Sequence, residues 1–229
     1  MPITSFEGPM GSGKSCSAVA LAYTEHTQNG KKVLANMELT FPHQYMDLQY
    51  FLDNLQTEEL NDCVTILDET YLLLESRSVG SKRLSTLFTY YIGQTRKRGV
   101  DLYLCYHHID TIDKRVRRAI DIRGTCSGVE EEPCKKCKGS GWEKVAPIID
   151  EYGKVRPHPM DTIPENELCP RCLGYGKAGW YTTKFYDLRS NRRSRVRVFG
   201  NVFWGMYKTK EIVPLSKRQL KIPVEDLTI

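Results

Sequence analysis

The chain has 229 residues and a mass of 26.3 kDa, 40% hydrophobic and 27% charged, which is enough to bury one sizeable core with a small appendage. That apolar content excludes a disordered chain, 17 Gly and 11 Pro exclude collagen-like and Pro/Gly-rich classes, and no apolar run approaches the roughly 20 residues of a membrane-spanning helix. The net charge of +5 is unevenly placed, with three lysines against eleven acidic residues in 1–76 and thirty basic against seventeen acidic in 77–229, so an anionic partner is expected for the second part. Residues 1–13 carry neither the basic nor the apolar stretch of a secretory signal, and the eight cysteines are therefore expected as reduced thiols or metal ligands of a protein that is not secreted.

Strand and helix patterns alternate. Ile3–Glu7 reads as a strand, Gly8–Gly13 as a glycine-rich loop, Lys14–His26 as a helix and Val33–Met37 as a strand. Asp47–Leu55 reads as a helix, Cys63–Leu67 as a buried strand, Leu84–Arg98 as a helix with Leu84, Leu87, Phe88 and Tyr91 on one face, and Val100–Tyr106 as a strand. This order predicts an α/β fold with a parallel central sheet.

Gly8-Pro9-Met10-Gly11-Ser12-Gly13-Lys14-Ser15 fits G-x-x-x-x-G-K-[ST] and lies between a strand and a helix, where such a loop can wrap a phosphate in backbone N–H groups. The candidate phosphate-binding set is Gly8, Gly11, Ser12, Gly13, Lys14, Ser15 and Cys16, with Lys14 reaching terminal phosphate oxygens and the Ser15 hydroxyl ligating Mg²⁺. Val64-Thr65-Ile66-Leu67-Asp68-Glu69 is an apolar strand ending in two carboxylates. A parallel strand delivers such residues to the edge where phosphate loops lie, so Asp68 is expected on Mg²⁺ and Glu69 on the attacking water.

With these motifs the sequence resembles the FtsK/HerA branch of RecA-like P-loop ATPases, and especially small viral genome-packaging ATPases. Gln94-Thr95-Arg96-Lys97-Arg98-Gly99 before Val100–Tyr106 matches that branch's arginine-bearing helix and glycine, and His107 stands where its sensor is usually Gln. Ile112-Asp113-Lys114-Arg115-Val116-Arg117-Arg118 and Met206-Tyr207-Lys208-Thr209-Lys210-Glu211 are similar to packaging-ATPase and Zot-like viral sequences. The resemblance implies ATP and Mg²⁺ as cofactors, Lys14, Glu69, Arg96 and His107 as catalytic residues, and double-stranded DNA as partner. It also implies a homo-oligomeric ring, pentamer or hexamer, in which Arg96 serves a neighbour's nucleotide. Capsid-vertex or viral membrane proteins are further partners it implies, and host cytoplasm or virion the location. Arg96, Lys97 and Arg98 also suit a helix C-terminus, and His107 and His108 also suit a strand end.

Cys134-x-x-Cys137 and Cys169-x-x-Cys172 have the spacing of a closed Cys₄ zinc site, separated by a stretch containing Pro147, Pro157, Pro159, Pro164 and His158. Both pairs fit CxxCxGxG, resembling the zinc repeat of DnaJ-type chaperones. Loss of the metal is expected to unfold this insertion and spare the nucleotide site. Cys16, Cys63, Cys105 and Cys126 are expected as small buried side chains. Trp180–Asp187 and Arg195–Phe199 form a hairpin pattern whose expected tip is Asn191-Arg192-Arg193-Ser194. The resulting organisation is an ATPase core over 1–130, a zinc-binding insertion over 131–178, a hairpin and strand completing the core over 179–213, and a tail over 214–229. Competing classes are a DNA motor for packaging, a Zot-like export ATPase, a nucleotide kinase with a zinc lid, and a non-enzymatic zinc module.

Overall fold

The computed structural model describes residues 2–69, 81–144, 148–149, 155–156 and 166–208. The Leu84 side chain, Pro147, His158, the prolines at 157, 159 and 164, residues 209–211 and the 214–229 tail lie outside the described part.

The first strand, β1 (Ile3–Glu7), leads through the glycine loop to α1 (Lys14–Asn29), which starts on Gly13 at φ 88° and stops on Gly30 at φ 67°. Both angles are left-handed, which glycine adopts without a Cβ clash. There follow β2 (Lys32–Ala35), β3 (Gln44–Tyr45), α2 (Leu48–Asn54) capped by the Asp47 carboxylate on Tyr50 N–H, and β4 (Cys63–Leu67). Next come α3 (Ser81–Gln94), β5 (Asp101–Tyr106), α4 (Lys114–Ala119) capped by Asp113, and a long β6 (Ile122–Pro133). The remaining elements are β7 (Trp142–Lys144), β8 (Ile148–Ile149), β9 (Val155–Arg156), β10 (Asn166–Leu168), β11 (Lys177–Asp187), β12 (Arg192–Phe199) and the single turn α5 (Gly200–Phe203).

One eight-stranded sheet in the order β12-β11-β6-β1-β5-β4-β2-β3 carries the molecule, parallel from β6 to β3 and antiparallel where β11 and β12 extend it. Phe6, Val64, Ile66 and Cys105 face α1 and pack on Ala18, Val19 and Ala22, while Ile3, Leu67, Leu102 and Leu104 face Phe51, Phe88, Tyr91 and Val116 of the helices on the other side. Phe51 and Phe88 stack with centroids 4.2 Å apart. Burial on both faces is why β4 and β5 read as unbroken apolar runs.

Two expectations are corrected and one strand is added. The third helix ends at Gln94, because the Thr95 hydroxyl turns back onto Ile92 O (2.9 Å) and Gly99 takes φ 73°, so Arg96 sits in a turn and not on a helix. The hairpin tip is Leu188–Asn191: the Asp187 carboxylate accepts from the N–H groups of Arg189 and Ser190 and closes the turn three residues early, leaving Arg192, Arg193 and Ser194 in β12. Residues 122–133, given no element in the sequence reading, form β6 beside β1.

Candidate functional site

Because β5 lies between β1 and β4, the C-terminal ends of these three strands converge on the first turn of α1. Lys14, 8% exposed, donates through Nζ to Gly8 O (3.0 Å) and Pro9 O (2.9 Å), and this nitrogen lies 3.3 Å from His107 Nδ1. The Ser15 hydroxyl donates to Asp68 Oδ2 at 2.9 Å. Burial pushes the Asp68 carboxyl above its ordinary range, and the Ser15 hydrogen bond acts against that rise. Glu69 follows at φ 51°, a left-handed angle that costs a non-glycine residue about 1–3 kcal/mol and recurs at functional sites. Its Oε1 lies 3.7 Å from His107 Nε2, and its Oε2 is buried with no hydrogen-bond partner among the described residues, as is Ser12 Oγ.

The structure therefore brings together Gly8, Gly11, Ser12, Gly13, Lys14, Ser15, Asp68, Glu69 and His107. Cys16 belongs to the same turn, but its thiol is fully buried against Ala20 and Val198 and pushed up to about 12 by that burial, which leaves only its backbone N–H for a ligand. Arg96 does not join them. It is exposed in the turn before β5, and β5 runs six residues, about 20 Å, to the end that carries His107. Arg98 is occupied structurally, donating to Thr57 O (3.2 Å) and Leu55 O (2.5 Å).

Two residues absent from the sequence reading hold the site in shape. Asn36, at the end of β2, accepts from Asp68 N–H (2.7 Å) and donates to Asp68 O (2.8 Å), pinning the strand exit that presents both carboxylates. A lone Asn closing an apolar strand was its only signal. Tyr181 of β11 packs its ring on Gly13, where a Cβ would come to 2.1 Å of Tyr181 Cδ1. The loop is tied to β6 as well, by Gly128 N–H on Ser12 O (3.2 Å).

A second constellation lies where β6 and β11 leave the sheet. Cys134 Sγ is 3.8 Å from Cys169 Sγ, Cys137 Sγ is 3.6 Å from Cys172 Sγ, and all four sulfurs lie within 4.8 Å of one another. Four thiolates at about 2.3 Å from a tetrahedral zinc stand about 3.8 Å apart, so the donor set fits that metal. The two halves repeat at an offset of 35 residues and exchange backbone hydrogen bonds, Cys134 N–H to Gly176 O (2.8 Å) and Cys169 N–H to Gly141 O (2.9 Å). Burial opposes ionisation of Cys137, but the N–H groups of Gly141 and Gly139 outweigh it and bring the thiol down to about 6, whereas burial and the neighbouring sulfurs raise Cys172 to about 11. Asn201 locks this unit to the sheet through Cys172 O (2.9 Å), Lys177 O (2.7 Å) and Gly179 N–H (2.8 Å).

Comparison with protein-family models finds no match. Comparison with curated protein sequences finds none either. Among solved structures the chain is similar to the N-terminal domain of zonular occludens toxin from Neisseria meningitidis, with TM-score 0.52 and 14% identity over 91% of this chain and 100% of that one. The fold is that of a RecA-like P-loop NTPase. The genome packaging NTPase B204 from Sulfolobus turreted icosahedral virus 2, in complex with ATP-gammaS, matches with TM-score 0.49 and 11% identity over 85% of this chain and 96% of that one. Among the described residues no helix is long and apolar enough to cross a membrane.

Proposed function

We propose that this chain is an ATPase that moves double-stranded DNA, acting as a ring of identical subunits in the packaging of a viral genome, in the host cytoplasm or the virion. The observation that carries the reading is the Ser15–Asp68 hydrogen bond, which joins the two motifs into one site beside Glu69 Oε2, which has no hydrogen-bond partner among the described residues. ATP supplies the phosphoryl group, and Mg²⁺ neutralises charge on its oxygens. The loop N–H groups from Gly11 to Cys16 and Lys14 bind the phosphates, Ser15 and Asp68 hold the cation, and Glu69 orients and deprotonates the attacking water. His107, between Lys14 and Glu69, senses the terminal phosphate. Arg96, too far from its own loop, serves the adjoining subunit's nucleotide. Cys134, Cys137, Cys169 and Cys172 hold a structural zinc, closed to water by the burial of three of the four. In this reading 1–130 is the ATPase core, 131–178 the zinc-binding insertion and 179–213 the segment completing the core.

The same site serves DNA export or virion assembly of the Zot-like kind, and the likeness over 91% of this chain favours that as the second reading. Steady-state ATP hydrolysis measured with and without double-stranded DNA, alongside AMP phosphorylation, is the test. DNA-stimulated hydrolysis is expected. Transfer of phosphate to AMP, or no hydrolysis in either condition, overturns the motor.

A further inference from the structure

On the side of the sheet away from α1, the helices cover β1, β5 and β4, whereas the same side of β6, β11 and β12 is covered by no described helix and, Thr182 apart, its side chains are exposed or half-buried. Register places Arg123 beside Tyr186 and Tyr186 beside Arg193, with Lys184 beside Arg195 one step further along and Thr182 beside Arg197 after that. Alternate residues of a strand rise about 6.8 Å and strands lie about 4.8 Å apart, so these cations form a regular grid over three strands. Arg123, Lys184, Arg193, Arg195 and Arg197 are all exposed. Of these five cations, only Arg197 has a carboxylate partner among the described residues, Glu130 at 2.9 Å.

We infer that this open face is a docking surface for the phosphate backbone of duplex DNA, an inference that rests on the reading above and names the surface that takes the substrate. The grid presents an ordered set of positive charges to a polyanion, which is the complementarity that sequence-independent binding requires. Its aromatic rings are already occupied. Arg193 lies over Tyr186 at 5.8 Å and Arg197 over Trp180 at 4.8 Å, so the rings orient guanidinium groups outward and do not offer a stacking platform to unpaired bases. None of the exposed large apolar side chains lies on these three strands, so the face lacks the apolar anchor of a membrane-surface site. A planar guanidinium fork matches phosphate oxygens in pairs.

The test is fluorescence anisotropy of a labelled 30-base-pair mixed-sequence duplex across a salt series, with the single strand and phosphatidylserine vesicles as competing probes and DNA-free ATP hydrolysis recorded in parallel. The Lys184→Ala/Arg193→Ala/Arg195→Ala variant is expected to reduce the log–log salt slope by about 2.7 and to lower duplex affinity more than tenfold, with unchanged DNA-free hydrolysis. Arg195→Glu alone, a single exposed change, is expected to weaken the duplex about tenfold and settles the matter if the triple variant misfolds. Wild-type affinity and slope in a folded variant overturn the surface, as does a wild-type protein that hydrolyses ATP but prefers the vesicles or ignores the duplex. Duplex binding lost in the variants of a protein that never hydrolyses ATP upholds the surface and removes the ATPase.

Discussion

The ring of Tyr181 fills the space that a side chain on Gly13 would need, so the phosphate loop is buttressed by a strand 168 residues further along the chain. Tyr181 is held in turn by Trp204 Nε1, which donates to its hydroxyl at 3.0 Å. Gly13→Ala combines a left-handed φ with a Cβ inside that ring, and is expected to abolish nucleotide binding. Tyr181→Ala is expected to leave the fold intact and weaken ATP by about tenfold, measured by calorimetric titration of the folded variant.

Lys14→Ala and Glu69→Gln are expected to separate binding from hydrolysis. The first removes the ammonium in the loop and loses ATP affinity. The second keeps a side chain of the same shape, binds ATP normally and lowers turnover by about 10²-fold or more, since a carboxamide cannot take a proton from water. Wild-type turnover by Glu69→Gln refutes the role given to Glu69.

Because Arg96 lies at the opposite sheet edge from its own phosphate loop, its variant is expected to be rescued in mixtures. Arg96→Ala and Lys14→Ala subunits, each inactive alone, recover part of the hydrolysis when combined, as intact sites meet intact arginines. Dead mixtures in demonstrably mixed rings remove the role from Arg96.

The cysteine unit is expected to hold about one zinc per chain, lost in Cys134→Ser together with protease resistance between the two pairs. The sequence alone predicted a nucleotide site indifferent to that loss. The continuity of β11 changes the expectation: only three residues separate Lys177, bonded to Asn201, from Tyr181 on the loop. Chelation is therefore expected to weaken ATP as well, by a few-fold, read as a shift in the binding isotherm before and after zinc is restored.

Glu25 is held below its ordinary value chiefly by the hydrogen bond from Lys31 (2.8 Å), with Asn29 adding a second. A depressed carboxyl stabilises the fold above its unfolded value of 4.5 and ceases to do so as pH falls through the lower folded value. Glu25→Gln is expected to melt about 1–2 °C below the wild type at pH 7, with the two curves converging as the pH falls below 4.5 and through the lower folded value.

The meeting of Lys14, Ser15, Asp68 and Glu69 was legible because its signals are local: β4 is a nearly continuous apolar run with a sharp end, the glycine loop closes β1, and the four residues sit at fixed offsets from these strands. β6 was not, since only one of its sides packs on α1, Gly124 and Gly128 interrupt it, and it ends in Glu130, Glu131 and Glu132. Asn36 and Tyr181 act through contacts 32 and 168 residues away, and neither falls in a pattern that spacing can reveal. The basic hairpin was visible as composition, but its tip was misplaced by the Asp187 turn, and the alternation that sets Arg193, Arg195 and Arg197 on one side emerges only once that turn is fixed.

The position of β1 bears on how the protein is made. Its partners on the two sides are Leu102–Tyr106 of β5 and Ile122–Thr125 of β6, so β1 lies unpaired at both edges until residues about a hundred positions later have left the ribosome. Pairings of such long range form slowly and late. Nascent chains arrested before residue 125 therefore carry the whole glycine loop without β6 and β11, the strands that flank it on one side.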